Sequence, residues 1–155
     1  MSNSNVRHQS NTPVPNILRV RRAVVGSIAT ALLTSRYAAA EPKHPSSAWY
    51  LEAKRMRELA ESWGDQSYGA VVVIGNAVVG HGPSRVVKDH DLNAHAERVA
   101  IRAAQVWQGS PQLAGAVLYS TSRPCSVCEQ AAAQAGIQRM YYGENLHDAG
   151  SPKLR

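Results

Sequence analysis

GAVLYSTSRPCSVCEQAAAQAGIQRMYY, residues 115–142, reads as strand, loop, helix and strand in that order. Gly115–Ser120 is a short apolar run ending in small polar residues, as a buried strand does. Cys125–Ala135 is rich in alanine, the strongest helix former, and Gly136 is placed to end that helix in the left-handed conformation. Ile137–Tyr142 is a second strand. A helix between two strands in so little chain makes a parallel β-α-β unit, which places the chain in the α/β class.

The elements before this unit extend the same layered plan. Over 45–63 the apolar residues Trp49, Leu51, Ala53, Met56, Leu59, Ala60 and Trp63 recur at helical spacing, with Ser46 or Ser47 as cap and Gly64 as stop. Lys54, Arg55, Met56 and Arg57 form the wet face of that helix. Tyr68–Ile74 and Ala77–Val79 flank Gly75-Asn76, the signal of a hairpin. A loop is expected from His81 to Asp91, then a helix over 93–107 capped by Asp91 or Asn93. The predicted order is α-β-β-α-β-α-β, a three-layer domain with a mixed sheet of four strands and helices on both faces. The residues after 142 are expected to be irregular, so an open sheet edge calls for a cover such as another subunit of a homo-oligomer.

The chain has 155 residues and a net charge of +6, with 44% hydrophobic and 18% charged residues. That length suits one domain. The charge is concentrated in residues 1–40. There Arg21-Arg22 precedes an apolar run, AVVGSIATALLT, and the small residues Ala38-Ala39-Ala40. Basic region, apolar region and A-x-A site in this order predict an export signal, and the paired arginines point to the twin-arginine route. Export to the bacterial periplasm or medium is the expected localisation, with 41–155 as the mature domain. The apolar run is too short for a membrane span. Five of the seventeen Lys and Arg lie in residues 1–40 and none of the eleven Asp and Glu do, leaving a net of +1 for 41–155. A domain so close to neutral lacks the electrostatic footprint of a nucleic-acid binder.

His95-Ala96-Glu97 opens one helix, and Pro124-Cys125-Ser126-Val127-Cys128 opens the next, directly after a strand. Cys125 and Cys128 are the only cysteines. One imidazole and two thiolates make a three-ligand zinc site that keeps its fourth position for chemistry. A helix N-terminus favours the thiolate, the form that binds metal. Glu97, two residues from His95, is placed to carry protons without ligating. A C-x-x-C pair alone would equally serve a thiol-disulfide oxidoreductase, and a zinc-stabilised module without turnover is a third reading. His81, His90 and His147 fall in loops and are expected to be solvated.

H-x-E followed by P-C-x-x-C is the signature of zinc deaminases. DLNAHAERVAIRAA (91–104) and STSRPCSVCEQAAAQAGIQRMYYG (120–143) resemble the two zinc segments of the cytidine and nucleobase deaminase superfamily, with the likeness running from about residue 48 to 143. The resemblance implies zinc as cofactor, His95, Cys125 and Cys128 as ligands and Glu97 as proton shuttle. It also implies hydrolytic deamination of a pyrimidine or purine base or nucleoside. Where base deaminases of this kind carry an Asn that bonds the base, this chain has Ser84, so Ser84 and Ala96 are the substrate-side candidates. Where the family often has Glu-Pro-Cys, this chain has Arg123-Pro124-Cys125. An arginine there meets either an anionic group or a carboxylate partner.

Overall fold

The computed structural model describes residues 46–154, and the segment read as an export signal lies outside them. The elements are α1 (Ser47–Ser62), β1 (Gly69–Ile74), β2 (Ala77–Pro83), α2 (Ala96–Gln108), β3 (Ala116–Ser120), α3 (Ser126–Gln134), β4 (Arg139–Tyr142) and β5 (His147–Gly150). They form one mixed sheet ordered β2-β1-β3-β4-β5. Only β3 and β4 pair in parallel, joined through α3 as the β-α-β reading required. No helix among the described residues is long and apolar enough to cross a membrane.

β1 shows why the sheet needs two covers. Its residues Gly69–Val73 are buried, as in a central strand packed on both faces. Alternation sends Val71 and Val73 to one side, where they join Val117, Tyr119 and Ala53 of α1. Ala70 and Val72 turn the other way, toward Ala96, Ala100 and Ala104 of α2 and Ala132 of α3. The Lys54–Arg57 run is only partly a wet face: Arg55 is exposed, whereas Met56 packs against the α1-side core.

Two expectations are corrected. The sheet has five strands, because β5 turns back after Gly143 and pairs antiparallel with β4, Tyr142 facing His147. The edge of β4 is therefore covered by the chain itself, and the argument from it for a second subunit lapses. β2 also runs four residues further than Val79, through Gly80, His81, Gly82 and Pro83. Glycines are depleted in strands, so the sequence pattern broke there.

These two glycines set the seat of α2. A Cβ on Gly82 would lie 2.1 Å from Ala96 O and 2.6 Å from Ala100 N; one on Gly80 would lie 2.2 Å from Ala100 O. Backbone meets backbone, and neither can swing aside. Gly82→Ala must push α2 off the sheet, and we expect a loss at or above the upper end of the ~1–3 kcal/mol typical of overpacking. A urea titration checks this; an unchanged midpoint would show that α2 has room to shift.

Candidate metal centre and active-site cleft

The ends of three strands and the starts of two helices converge at one end of the sheet. β2 leads into the loop before α2, and β3 runs out toward α3. β1 is antiparallel to β3, so its beginning lies beside the end of β3, with Ala70 facing Ser120. Thr121 locks the two together: its N–H donates to Gly69 O at 2.9 Å, and its hydroxyl accepts from Gly69 N–H at 3.1 Å. Segments 66–68, 95–97 and 122–125 thus surround a cleft of about 260 Å³, lined by Gln66, Tyr68, His95, Ala96, Glu97, Ser122, Arg123 and Cys125.

His95 and Cys125 hold equivalent places in their helices. Each is the residue just before the first helical turn, in extended backbone, and neither side chain bonds to its own helix. Both are free to point into the gap between α2 and α3. Helix α2 starts at Ala96 and not at Asn93, because Asp91 caps the preceding turn, accepting from Asn93 N–H at 2.8 Å. Cys128 sits one turn into α3, buried beneath the other two.

The donor atoms of His95, Cys125 and Cys128 all lie within 4.8 Å of one another. His95 Nδ1 is 3.7 Å from Cys125 Sγ and 3.5 Å from Cys128 Sγ. Tetrahedral zinc, with bonds of roughly 2.0 Å to nitrogen and 2.3 Å to sulfur, sets N and S about 3.5 Å apart. One imidazole and two thiols at these separations fit that ion in both chemistry and spacing.

Glu97 is 6% exposed, behind the donors. Burial pushes its carboxyl above the usual carboxylate range, against opposing contributions from its own backbone N–H, Cys128 and His95. Cys128 Sγ donates to Glu97 Oε2 at 3.4 Å. Burial, followed by the nearby Glu97 charge and Cys125, drives the Cys128 thiol far above its usual value. A cation among the donors reverses that preference, since a coordinating thiol is deprotonated outright.

The structure brings together His95, Ala96, Glu97, Cys125 and Cys128, and leaves Ser84 out. Ser84 is fully buried and its hydroxyl donates to Asp65 Oδ1 at 2.8 Å. The short side chain is turned inward. His81, His90 and His147 are exposed as expected, but His81 lies in β2 and His147 opens β5, not in loops. Gln66, Tyr68 and Ser122 were missed by the sequence reading. The signal for them lay in the pairing of β1 with β3, which no local pattern carries.

Asp65 organises the rim. It accepts from Gln66 N–H at 2.7 Å, Ser84 Oγ at 2.8 Å, Val87 N–H at 2.9 Å and Lys88 N–H at 2.8 Å. Lys88 then lies over Trp63, 3.4 Å from the ring centre. Partial burial alone would raise the Asp65 pKa, but the bonds from Lys88, Ser84, Gln66 and Val87 together hold it below its ordinary value. A depressed carboxyl stabilises the fold above the unfolded-state pKa of about 4 and loses that contribution as pH falls through the folded value. Asp65→Ala should therefore cost about 1–2 kcal/mol at pH 7, discounted for partial exposure. The gap from wild type should narrow below about pH 4. Urea unfolding at pH 7 and pH 3 measures it, and a gap of the same size at both would show that the charge is irrelevant.

A three-layer domain with this strand order and a His/Cys/Cys cluster at the strand ends is of the cytidine-deaminase-like class. The chain belongs to the family described as the cytidine and deoxycytidylate deaminase zinc-binding region, whose model matches residues 43–144. It is 41% identical over 75 residues to the tRNA-specific adenosine deaminase of Agrobacterium fabrum, covering 48% of this chain and 49% of that protein. A structure from work on A-to-I editing by tRNA:A34 deaminases superposes with a TM-score of 0.61 at 34% identity, over 63% of this chain and 71% of that one. The guanine deaminase of Bacillus subtilis superposes with a TM-score of 0.62 at 29% identity, over 64% of each chain. The chain thus spans about half the length of the Agrobacterium relative.

Proposed function

We propose that this protein is a zinc-dependent deaminase that hydrolyses the exocyclic amino group of a pyrimidine or purine ring. The observation that carries the reading is Glu97, a buried carboxylate on the wall of the cleft, beside three donors spaced for zinc. His95, Cys125 and Cys128 would hold the ion. Zinc, when bound, supplies the Lewis acidity that makes hydroxide available near neutral pH. Glu97 would take one proton from the attacking water and deliver it to the ring nitrogen as the new C–O bond forms. It would then carry the remaining hydroxyl proton to the amino group, so that the C–N bond breaks, ammonia leaves and a ring carbonyl is left. Ala96 and Gln66, which line the cleft, would meet the ring, and the buried Ser84 would not.

Two thiols at the start of a helix would also serve disulfide exchange, but that chemistry has no use for a buried Glu97 beside them. The family assignment favours the deaminase reading over both the redox reading and that of an inert zinc module.

A free base, nucleoside or nucleotide suits the domain better than folded RNA, since 41–155 carries a net charge of only +1. The named relatives that act on tRNA make this a point for measurement. Zinc content of the purified protein, with ammonia release from a panel of bases, nucleosides and nucleotides, tests the assignment. Stoichiometric zinc with no release from any of them, nor from a tRNA anticodon stem-loop, would leave only the inert module. We further propose that residues 1–40 direct export, for which N-terminal sequencing from the native host should begin at Glu41.

A further inference from the structure

Arg123 stands at the mouth of the cleft with no ion pair and no hydrogen bond to any of the described residues. Every other arginine among them is engaged. Arg55 pairs with Glu52, Arg57 with Glu61, Arg85 with Asp89, Arg102 with Asp91 and Arg139 with Asp148, while Arg98 donates to the side-chain Oδ1 of Asn93 at 2.9 Å. The one carboxylate that lines the cleft is Glu97, buried on its wall. The sequence left two partners open for Arg123, and the described residues supply it with no carboxylate.

We infer that Arg123 recognises the phosphate of a nucleoside monophosphate whose base occupies the cleft. The inference rests on the deaminase reading and narrows its substrate class. A guanidinium presents paired N–H donors that match two phosphate oxygens. A volume of about 260 Å³ is at the small end for ligand sites, so the ring fills the inner part and the charged group stays at the opening, where Arg123 is exposed. A single unengaged arginine fits a single phosphate. Folded RNA requires several cations along its backbone, and the other arginines among the described residues are already engaged.

The test compares nucleosides with their 5′-monophosphates on the zinc-loaded protein, as kcat/KM for ammonia release and as direct binding by calorimetry. For the preferred ring, the monophosphate should be favoured about tenfold or more in kcat/KM, the size of one charge-assisted contact. Arg123→Gln should bring that ratio close to one through KM, and Arg123→Lys should keep part of it. Equal ratios in the wild type, or a ratio untouched in Arg123→Gln, would overturn the inference. So would preferential binding of a tRNA anticodon stem-loop with a steep salt dependence. The binding arm separates two failures. Monophosphates held through Arg123 without ammonia release would sink the deaminase reading alone. Nucleosides deaminated without any phosphate preference would sink only the role of Arg123.

Discussion

Glu97→Ala is expected to keep zinc near one per chain while turnover falls by about 10² to 10⁴. Glu97 contributes no donor atom to the His95, Cys125 and Cys128 cluster, so removing it leaves the ligand set intact. The fold should survive as well, although Cys128 loses the partner to which its thiol donates. Glu97→Gln controls for the lost volume, since it keeps the shape and removes the proton acceptor. The readouts are metal content by mass spectrometry, circular dichroism and ammonia release. If Glu97→Ala loses zinc as readily as a ligand variant does, the separation of roles proposed here is wrong.

Cys128→Ser and His95→Ala should behave in the opposite way, losing zinc and with it stability. Metal binding energy is part of the folding free energy when the site exists only in the folded chain. Cys128 is 1% exposed, so the metal it helps to hold is tied to the buried interior of the fold. The midpoint of thermal unfolding should drop by about 10 °C, because a domain of this size shifts by a few degrees per kcal/mol. Added chelator should bring the wild type down to meet the variants. A dithiol oxidoreductase would give another pattern: both cysteines essential, His95 and Glu97 nearly silent, and chelator without effect on the midpoint.

The parts of this fold that were legible in sequence are those whose information is local. The valine run of β1, the Ala-rich α3 with its Gly136 stop, and the two segments holding His95, Glu97, Cys125 and Cys128 each announce themselves within a dozen residues. What escaped depends on partners distant in the chain. β5 reads His-Asp-Ala-Gly, a sequence with little strand propensity, and forms because β4 offers it an edge. Gly80 and Gly82 read as loop, yet extend a strand because α2 lies against them. Ser84 was expected at the substrate because of its place in the chain. Only the position of Asp65, nineteen residues earlier, shows that its hydroxyl points the other way. Arg123 was ambiguous for the same reason, since whether a cation has a partner depends on groups distant in the chain.

The contact of α2 with β2 has a consequence for how this sequence can drift over generations. Where Gly80 and Gly82 meet Ala96 and Ala100, the fit is made by missing atoms, so the seam is one-sided in what it accepts. Trimming Ala100 to glycine opens a small void and weakens the helix by about 1 kcal/mol, which selection can tolerate. Adding a methyl at Gly82 drives two backbones apart, and no single change elsewhere restores them. A saturation scan should therefore record two empty columns on β2 opposite graded ones on α2. Mutations that reach His95 and Glu97 through that helix would accumulate from the helix side only.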